Sequence, residues 1–263
     1  MTERPRLVAT DLDGTLLASD GTVSERTGAA WARLPELGIE SVLVTARPPR
    51  WIDPLSAIVG KHGMAICTNG AFVYDVANHR VVEQHGMPRE VVLRLAIRLR
   101  ERFPDVGLAT ECADGMYREP VYPDPHQEQL DMPFQPIEEL PEHVVVGKLL
   151  AARPGPIDPE FVTTVTEVVG ADGEVAFSGV GALAEISAAG VTKGAALQRW
   201  AAELGIDAAD VWAFGDMPND LPMLRWAGRS YAVANAHPDV AAAATHRTAS
   251  NDDDGVAQVL EQL

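Results

Sequence analysis

Three segments of the chain carry carboxylates and hydroxyls where apolar runs end. Residues 7–10 run into Asp11-Leu12-Asp13-Gly14-Thr15, and residues 41–44 run into Thr45-Ala46-Arg47. Residues 211–214 run into Gly215-Asp216-Met217-Pro218-Asn219-Asp220, and Lys193 opens a helical stretch just after Val191-Thr192. Brought to one edge, Asp11, Asp13, Asp216 and Asp220 would repel one another. A hard divalent cation that prefers oxygen ligands relieves that repulsion, which points to Mg²⁺. A carboxylate attacking a phosphate ester meets the same difficulty, because both are anions. Mg²⁺ and Lys193 can take up the charge that spreads onto the phosphoryl oxygens. Asp11 and Asp13 are two residues apart, so on an extended chain their side chains point the same way. One can attack while the other protonates the leaving oxygen and then activates water.

Alone, the segment from Asp11 to Thr15 is moderately specific and the others are weak. Asp and Gly dominate ordinary turns, and a single Lys or Thr is usually a solvated residue. The force lies in the order, with each group at the end of a strand or the start of a helix.

Those elements follow from the apolar pattern. Residues 7–12, 41–45 and 64–68 read as buried strands. A helix capped by Ser24 runs through Trp31 and Leu34 to stop near Gly38, and another is expected over 51–59. The C-terminal part repeats the pattern: helix 193–204, strand 211–214, a helical turn or two over 220–226, strand 231–234, helix 238–244 and a last helix from 255. Such alternation builds a parallel sheet covered by helices. The middle differs. A hairpin over 72–74 and 81–82 leads to an amphipathic helix over 91–103 and a proline-rich stretch over 120–141 that reads as loop or edge. A strand (144–151), a helix (159–169) and two short strands ending near 186 follow. The expected fold is α/β: a doubly wound, Rossmann-like parallel sheet core with an inserted α+β cap domain. Core residues are 1–84 and 187–263, and the cap is 85–186. In an open parallel sheet, ligands bind beyond the carboxyl ends of the strands, where the polar segments fall.

These residues resemble the haloacid dehalogenase superfamily, in particular its Cof-type phosphatases, which carry a large α/β cap inserted in the core. The resemblance runs from Asp11 to Val256 in family order. It implies that Asp11 is the nucleophile and Asp13 the acid/base. It implies that the Thr45 hydroxyl and the Ala46 backbone N–H hold phosphate, together with Lys193 and Asn219. Asp11, Asp216 and the main-chain carbonyl of Asp13 would hold Mg²⁺, and Asp220 would orient metal-bound water. Thr68-Asn69-Gly70-Ala71, Asn235-Ala236 and the segment 251–257 also resemble recurring family segments. Ala46 stands where many relatives have glycine, and Met217-Pro218 replaces smaller residues. The expectation is a Mg²⁺-dependent phosphohydrolase acting on a small phosphorylated metabolite, a sugar phosphate first. Flavin mononucleotide and pyridoxal phosphate are further candidates. A phosphosugar mutase using the same intermediate, and a non-enzymatic metabolite-binding protein on this fold, are the alternatives.

Composition narrows the partners. The 263 residues carry 38 acidic against 21 basic side chains, a formal net charge of −17. Nucleic acid and anionic membrane are recognised through clustered Lys and Arg, so neither is expected as a partner. No apolar stretch approaches the length of a membrane span and no signal-peptide pattern is seen, so a cytoplasmic protein is expected. Cys67 and Cys112 are far apart and read as reduced thiols. Ser250, Asp252, Asp254, Gly255 and Glu261 fall at calcium-loop spacing, but the first ligand would be Ser and helix follows from Val256, so that reading fails. In the cap, Arg118, His126 and Lys148 are candidate substrate contacts. Nothing in the residues sets the oligomeric state.

Overall fold

Leu7–Thr10 forms β1, and all four residues are buried in the computed structural model. The structure describes residues 4–59, 62–124, 134–177 and 181–263. The chain divides into two units, Met1–Arg80 with Thr192–Leu263, and Val81–Val191. The second unit extends further at each end than the 85–186 insertion expected from sequence, taking in most of strand Arg80–Gln84 and the turn after residue 188.

The first unit begins with β1, α1 (Glu25–Ala32), β2 (Glu40–Val44), β3 (Met64–Cys67) and β4 (Phe72–Asp75). Ser24 caps α1, its hydroxyl accepting from the Thr27 N–H at 3.0 Å. The chain passes out through β5 (Arg80–Gln84). The second unit holds α2 (Arg89–Arg102), β6 (Gly107–Cys112), β7 (Gly115–Arg118), β8 (Val146–Arg153), α3 (Pro159–Val169), β9 (Gly173–Ala176) and β10 (Ala182–Ala188). The chain then returns to the first unit with α4 (Lys193–Glu203), β11 (Val211–Gly215), α5 (Leu221–Trp226), β12 (Arg229–Ala232), α6 (Pro238–Ala243), β13 (His246–Arg247) and α7 (Gly255–Leu260).

In the first unit the strand order is β13-β12-β11-β1-β2-β3-β4. The strands from β13 to β3 are parallel, and β4 joins antiparallel as a return from β3. β1 lies at the centre, pairing Leu7 with Val211 on one side and with Glu40 on the other. Leu7, Ala9, Val42, Val44, Ile66 and Ala213 pack against Ala196, Leu197 and Ala201 of α4 and Met223 and Leu224 of α5. That burial fixes which strand ends face the same edge.

In the second unit an antiparallel sheet runs β7-β6-β8-β10-β9. α2 and α3 cover one face through Leu95, Leu99, Phe161 and Val165, which meet Leu108, Leu149 and Ile186. On the other face Lys148 pairs with Glu185 at 2.7 Å, both buried. Arg118 pairs with Asp124 at 2.6 Å. His126 lies outside the described residues.

Two expectations need correction. Residues 51–59 do not form an α-helix. The stretch forms the 3₁₀ turns Pro49–Trp51 and Asp53–Ile58 instead, with Pro54 supplying no backbone N–H inside the expected span. The β6–β7 hairpin was not foreseen, although every residue of β6 is buried. Among the described residues no helix is long and apolar enough to cross a membrane.

Candidate active site

β1 ends at Thr10, and the next residue, Asp11, is 5% exposed with its N–H donating to the Phe214 carbonyl of β11 at 3.0 Å. The chain then turns through Leu12–Leu16, where Gly14 takes φ +77°. A side chain there would fail twice. That φ suits glycine, and a Cβ would stand 2.5 Å from Oδ2 of Asp216. The close approach lets the Thr15 hydroxyl donate to Oδ1 of Asp216 at 3.0 Å. The turn is braced from outside, since Asn235 Nδ2 donates to the Gly14 carbonyl at 2.8 Å and Asn235 Oδ1 accepts from the Asn251 N–H.

β11 delivers Asp216, 7% exposed, and the 3₁₀ turn Pro218–Asp220 delivers Asp220, which has no exposed surface. Oδ2 of Asp220 accepts from the N–H groups of Asp216 (2.9 Å) and Met217 (3.0 Å). Its Oδ1 accepts from Lys193 Nζ at 2.6 Å, so both oxygens are engaged within the protein. Lys193 is the first residue of α4, whose start is capped by the Thr192 hydroxyl accepting from the Ala195 N–H. Its ammonium also donates to Oδ1 of Asp11 at 2.6 Å.

Carboxylate oxygens of Asp11, Asp216 and Asp220 all lie within 4.8 Å of one another. Three carboxylates thus share one ammonium in a buried site. Burial, then the charges of Asp220 and Asp216, push Asp11 well above the usual carboxylate range despite the opposing pull of Lys193. Burial first and Asp220 second push Asp216 to about 6. Burial works against the charge on Lys193, but Asp11 and Asp220 outweigh it and hold the ammonium above its ordinary value. The donor set is all oxygen, with more negative charge than the lysine balances, which suits a hard divalent cation.

The third strand end, β2, leads to Thr45, which has no exposed surface, followed by half-buried Ala46. The Thr45 hydroxyl accepts from the Arg47 N–H at 3.1 Å, and the Thr45 N–H donates to the Ile66 carbonyl at 2.8 Å. Asp13 is turned outward, with its side chain 58% exposed, and both its oxygens accept from the Arg47 guanidinium. Asn219 donates through Nδ2 to Oδ1 of Asn69 at 3.1 Å.

The structure therefore gathers Asp11, Asp216, Asp220 and Lys193 into one buried cluster. Contacts tie Asp13 to the Thr45 loop through Arg47, and Asn219 to Asn69. Sequence reasoning did not assign roles to Arg47, Asn69, Asn235 or Asn251. Thr68-Asn69-Gly70 carried a turn signal, but their partners lie far away along the chain.

The likeness to known proteins extends over nearly the whole chain. The model of the family described as haloacid dehalogenase-like hydrolase matches residues 8–260. The 5-amino-6-(5-phospho-D-ribitylamino)uracil phosphatase YitU of Bacillus subtilis is 30% identical, covering 100% of this chain and 98% of its own. The pyridoxal phosphate phosphatase YbhA of Escherichia coli is 30% identical, covering 97% of each chain. Among solved structures, the phosphatase BT1666 from Bacteroides thetaiotaomicron superposes with a TM-score of 0.84 at 24% identity, over 99% of this chain and 96% of that one, and so shares its fold.

Proposed function

As the chain belongs to the haloacid dehalogenase-like hydrolase family and is a phosphatase, we propose that it hydrolyses phosphate monoesters of small metabolites through a covalent phosphoryl group on Asp11. The observation that carries this reading is the bridge from Lys193 Nζ to Asp11 and Asp220, at 2.6 Å each. It sets a buried carboxylate and a cation together at the end of the central strand.

In the first half, an oxygen of Asp11 attacks phosphorus and the bond to the ester oxygen breaks. Asp13 gives its proton to that oxygen, and the alcohol leaves. In the second half, Asp13 takes a proton from water as the water oxygen attacks phosphorus. The bond to Asp11 then breaks and inorganic phosphate departs. Lys193 offsets charge on the phosphoryl oxygens, while the Thr45 hydroxyl, the Ala46 N–H and Asn219 hold the phosphoryl group.

The residues fit Mg²⁺. Oδ1 of Asp216 is engaged by Thr15 and both oxygens of Asp220 are engaged by protein donors. That makes Asp220 a bracket for Lys193 and the turn before it, and leaves Asp11, Asp216 and, as the family resemblance implies, the main-chain carbonyl of Asp13 as the groups that would hold the ion. Bound there, Mg²⁺ supplies the positive charge that lets one anion approach another. Expected substrates include sugar phosphates, pyridoxal phosphate and the ribitylaminouracil phosphate named for YitU.

The test is phosphate release from such a panel, with and without Mg²⁺, with Asp11→Asn as the blank. Release that needs both Mg²⁺ and Asp11 supports the reading. Turnover persisting in a folded Asp11→Asn protein defeats the mechanism, and a rearranged sugar phosphate in place of free phosphate identifies a mutase.

A further inference from the structure

Between β3 and β4 the backbone does something costly. Thr68 and Asn69 take φ +54° and +55°, and Gly70 takes φ +102°. Two consecutive non-glycine residues in the left-handed region are unusual, and for a β-branched threonine the conformation is a clear outlier. Such a conformation persists only where surrounding contacts over-determine it.

Here they do. The Thr68 N–H donates to the Arg47 carbonyl at 2.9 Å, and the Asn69 N–H donates to the Thr45 carbonyl at 3.0 Å. Both donors therefore point into the loop that carries Thr45 and Ala46. Asn69 is 5% exposed, and its side-chain Oδ1 accepts from Asn219 Nδ2 at 3.1 Å. Gly70 lies against the start of α4, so close that a Cβ would stand 2.6 Å from the Thr192 carbonyl and 2.8 Å from Cβ of Ala196. One three-residue turn thus touches the Thr45 loop, the turn bearing Asn219, and the helix that begins with Lys193. Its contacts join segments as far apart as 150 positions in sequence.

We propose that Asn69 is a positioning residue for the phosphoryl group. Its amide holds Asn219 while its main chain holds Thr45, so the two donors keep a fixed separation across the site. The proposal rests on the reading above, in which Thr45, Lys193 and Asn219 receive phosphate. A left-handed backbone with an amide side chain is what this double task requires. Glycine would accept the conformation but leave Asn219 unheld.

The test uses the full chain with Mg²⁺ and compares wild type, Asn69→Gly, Asn69→Ala, Asn219→Ala and the double variant Asn69→Gly/Asn219→Ala. Inorganic phosphate binding is read by calorimetry, and KM and kcat are read with p-nitrophenyl phosphate. Asn69→Gly is expected to weaken phosphate binding and raise KM by about tenfold, with a smaller change in kcat. The double variant should bind phosphate no more weakly than Asn219→Ala alone, because the second residue acts through the first. Asn69→Gly loses the amide's hydrogen bond but suits φ above zero, while Asn69→Ala loses the bond and keeps the strain, so Asn69→Ala should lower the thermal midpoint further than Asn69→Gly. Equal kinetic losses in these two variants would assign the effect to the amide. Unchanged phosphate binding in Asn69→Gly, independent losses that multiply in the double variant, or a loss confined to Asn69→Ala would each overturn the proposal. Calorimetry needs no turnover, so an inactive wild type that still shows this coupling would defeat the hydrolytic reading and leave the positioning role standing.

Discussion

The Arg47 guanidinium grips both oxygens of the Asp13 carboxylate, Nε to Oδ2 at 2.8 Å and Nη2 to Oδ1 at 2.6 Å. This fork-to-fork contact fixes orientation as well as adding strength. A residue proposed to give and take protons is thereby held by a side chain whose backbone belongs to the Thr45 loop. If Asp13 protonates the leaving oxygen, removing Arg47 should hurt most where the leaving group is a poor one. For Arg47→Met the expected loss in kcat/KM is about tenfold to a hundredfold with alkyl phosphates and much smaller with p-nitrophenyl phosphate. Equal losses on both would show that Arg47 serves binding alone.

Lys193→Met should be among the most destabilising single changes in the chain. The lysine is 1% exposed and lies between two buried carboxylates. Removing one partner of a buried ion pair costs about 3–5 kcal/mol. Urea unfolding without Mg²⁺ should report a loss of this size, and adding Asp11→Asn should recover part of it.

The pH dependence follows from Asp216, which burial and then Asp220 raise to about 6 from 3.8. The folded state therefore holds this proton more tightly than the unfolded chain does. In metal-free protein the stability contribution is complete below about pH 4 and is lost as pH rises through about 6. Asp11 is displaced in the same direction. A cation binding these oxygens must displace the proton, so Mg²⁺ should raise the thermal midpoint more at about pH 7.5 than at about pH 5. A shift independent of pH would exclude Asp216 as a ligand.

Gly14→Ala tests the same oxygens sterically. The left-handed backbone there costs an alanine about 1–2 kcal/mol, and the methyl would press on Oδ2 of Asp216. The variant should fold with a lowered midpoint and need at least about tenfold more Mg²⁺ for half-maximal activity. An unchanged Mg²⁺ requirement would mean that Oδ2 is not used.

What could be read from the chain depended on whether the signal was local. Asp11, Thr45 and Asp216 each follow a mostly apolar run, and strand pairing then brings those three ends together. Lys193 was legible because Thr192 caps the helix it opens. β6 was not, because Gly107, Ala109 and Glu111 weaken its strand pattern and its burial comes from neighbours on both sides. The helix expected over 51–59 gave way to 3₁₀ turns around Pro54. Arg47, Asn69 and Asn235 went without assigned roles for a different reason. Their partners, Asp13, Asn219 and Gly14, lie 34, 150 and 221 positions away, and no local pattern announces a contact of that kind.

The place of β1 has a consequence for synthesis. The strand nearest the start of the chain is completed on one side by β2 but on the other by β11, some two hundred residues later. At ribosomal speeds of about 5–20 residues per second, Leu7–Thr10 waits about 10–40 s with one hydrogen-bonding edge unpaired. Meanwhile Val81–Val191 emerges whole, with both sheet partners and helices in hand. The inserted unit is therefore expected to mature first, while the nascent strand ahead of it stays exposed to chaperones and to neighbouring chains until residue 211 arrives.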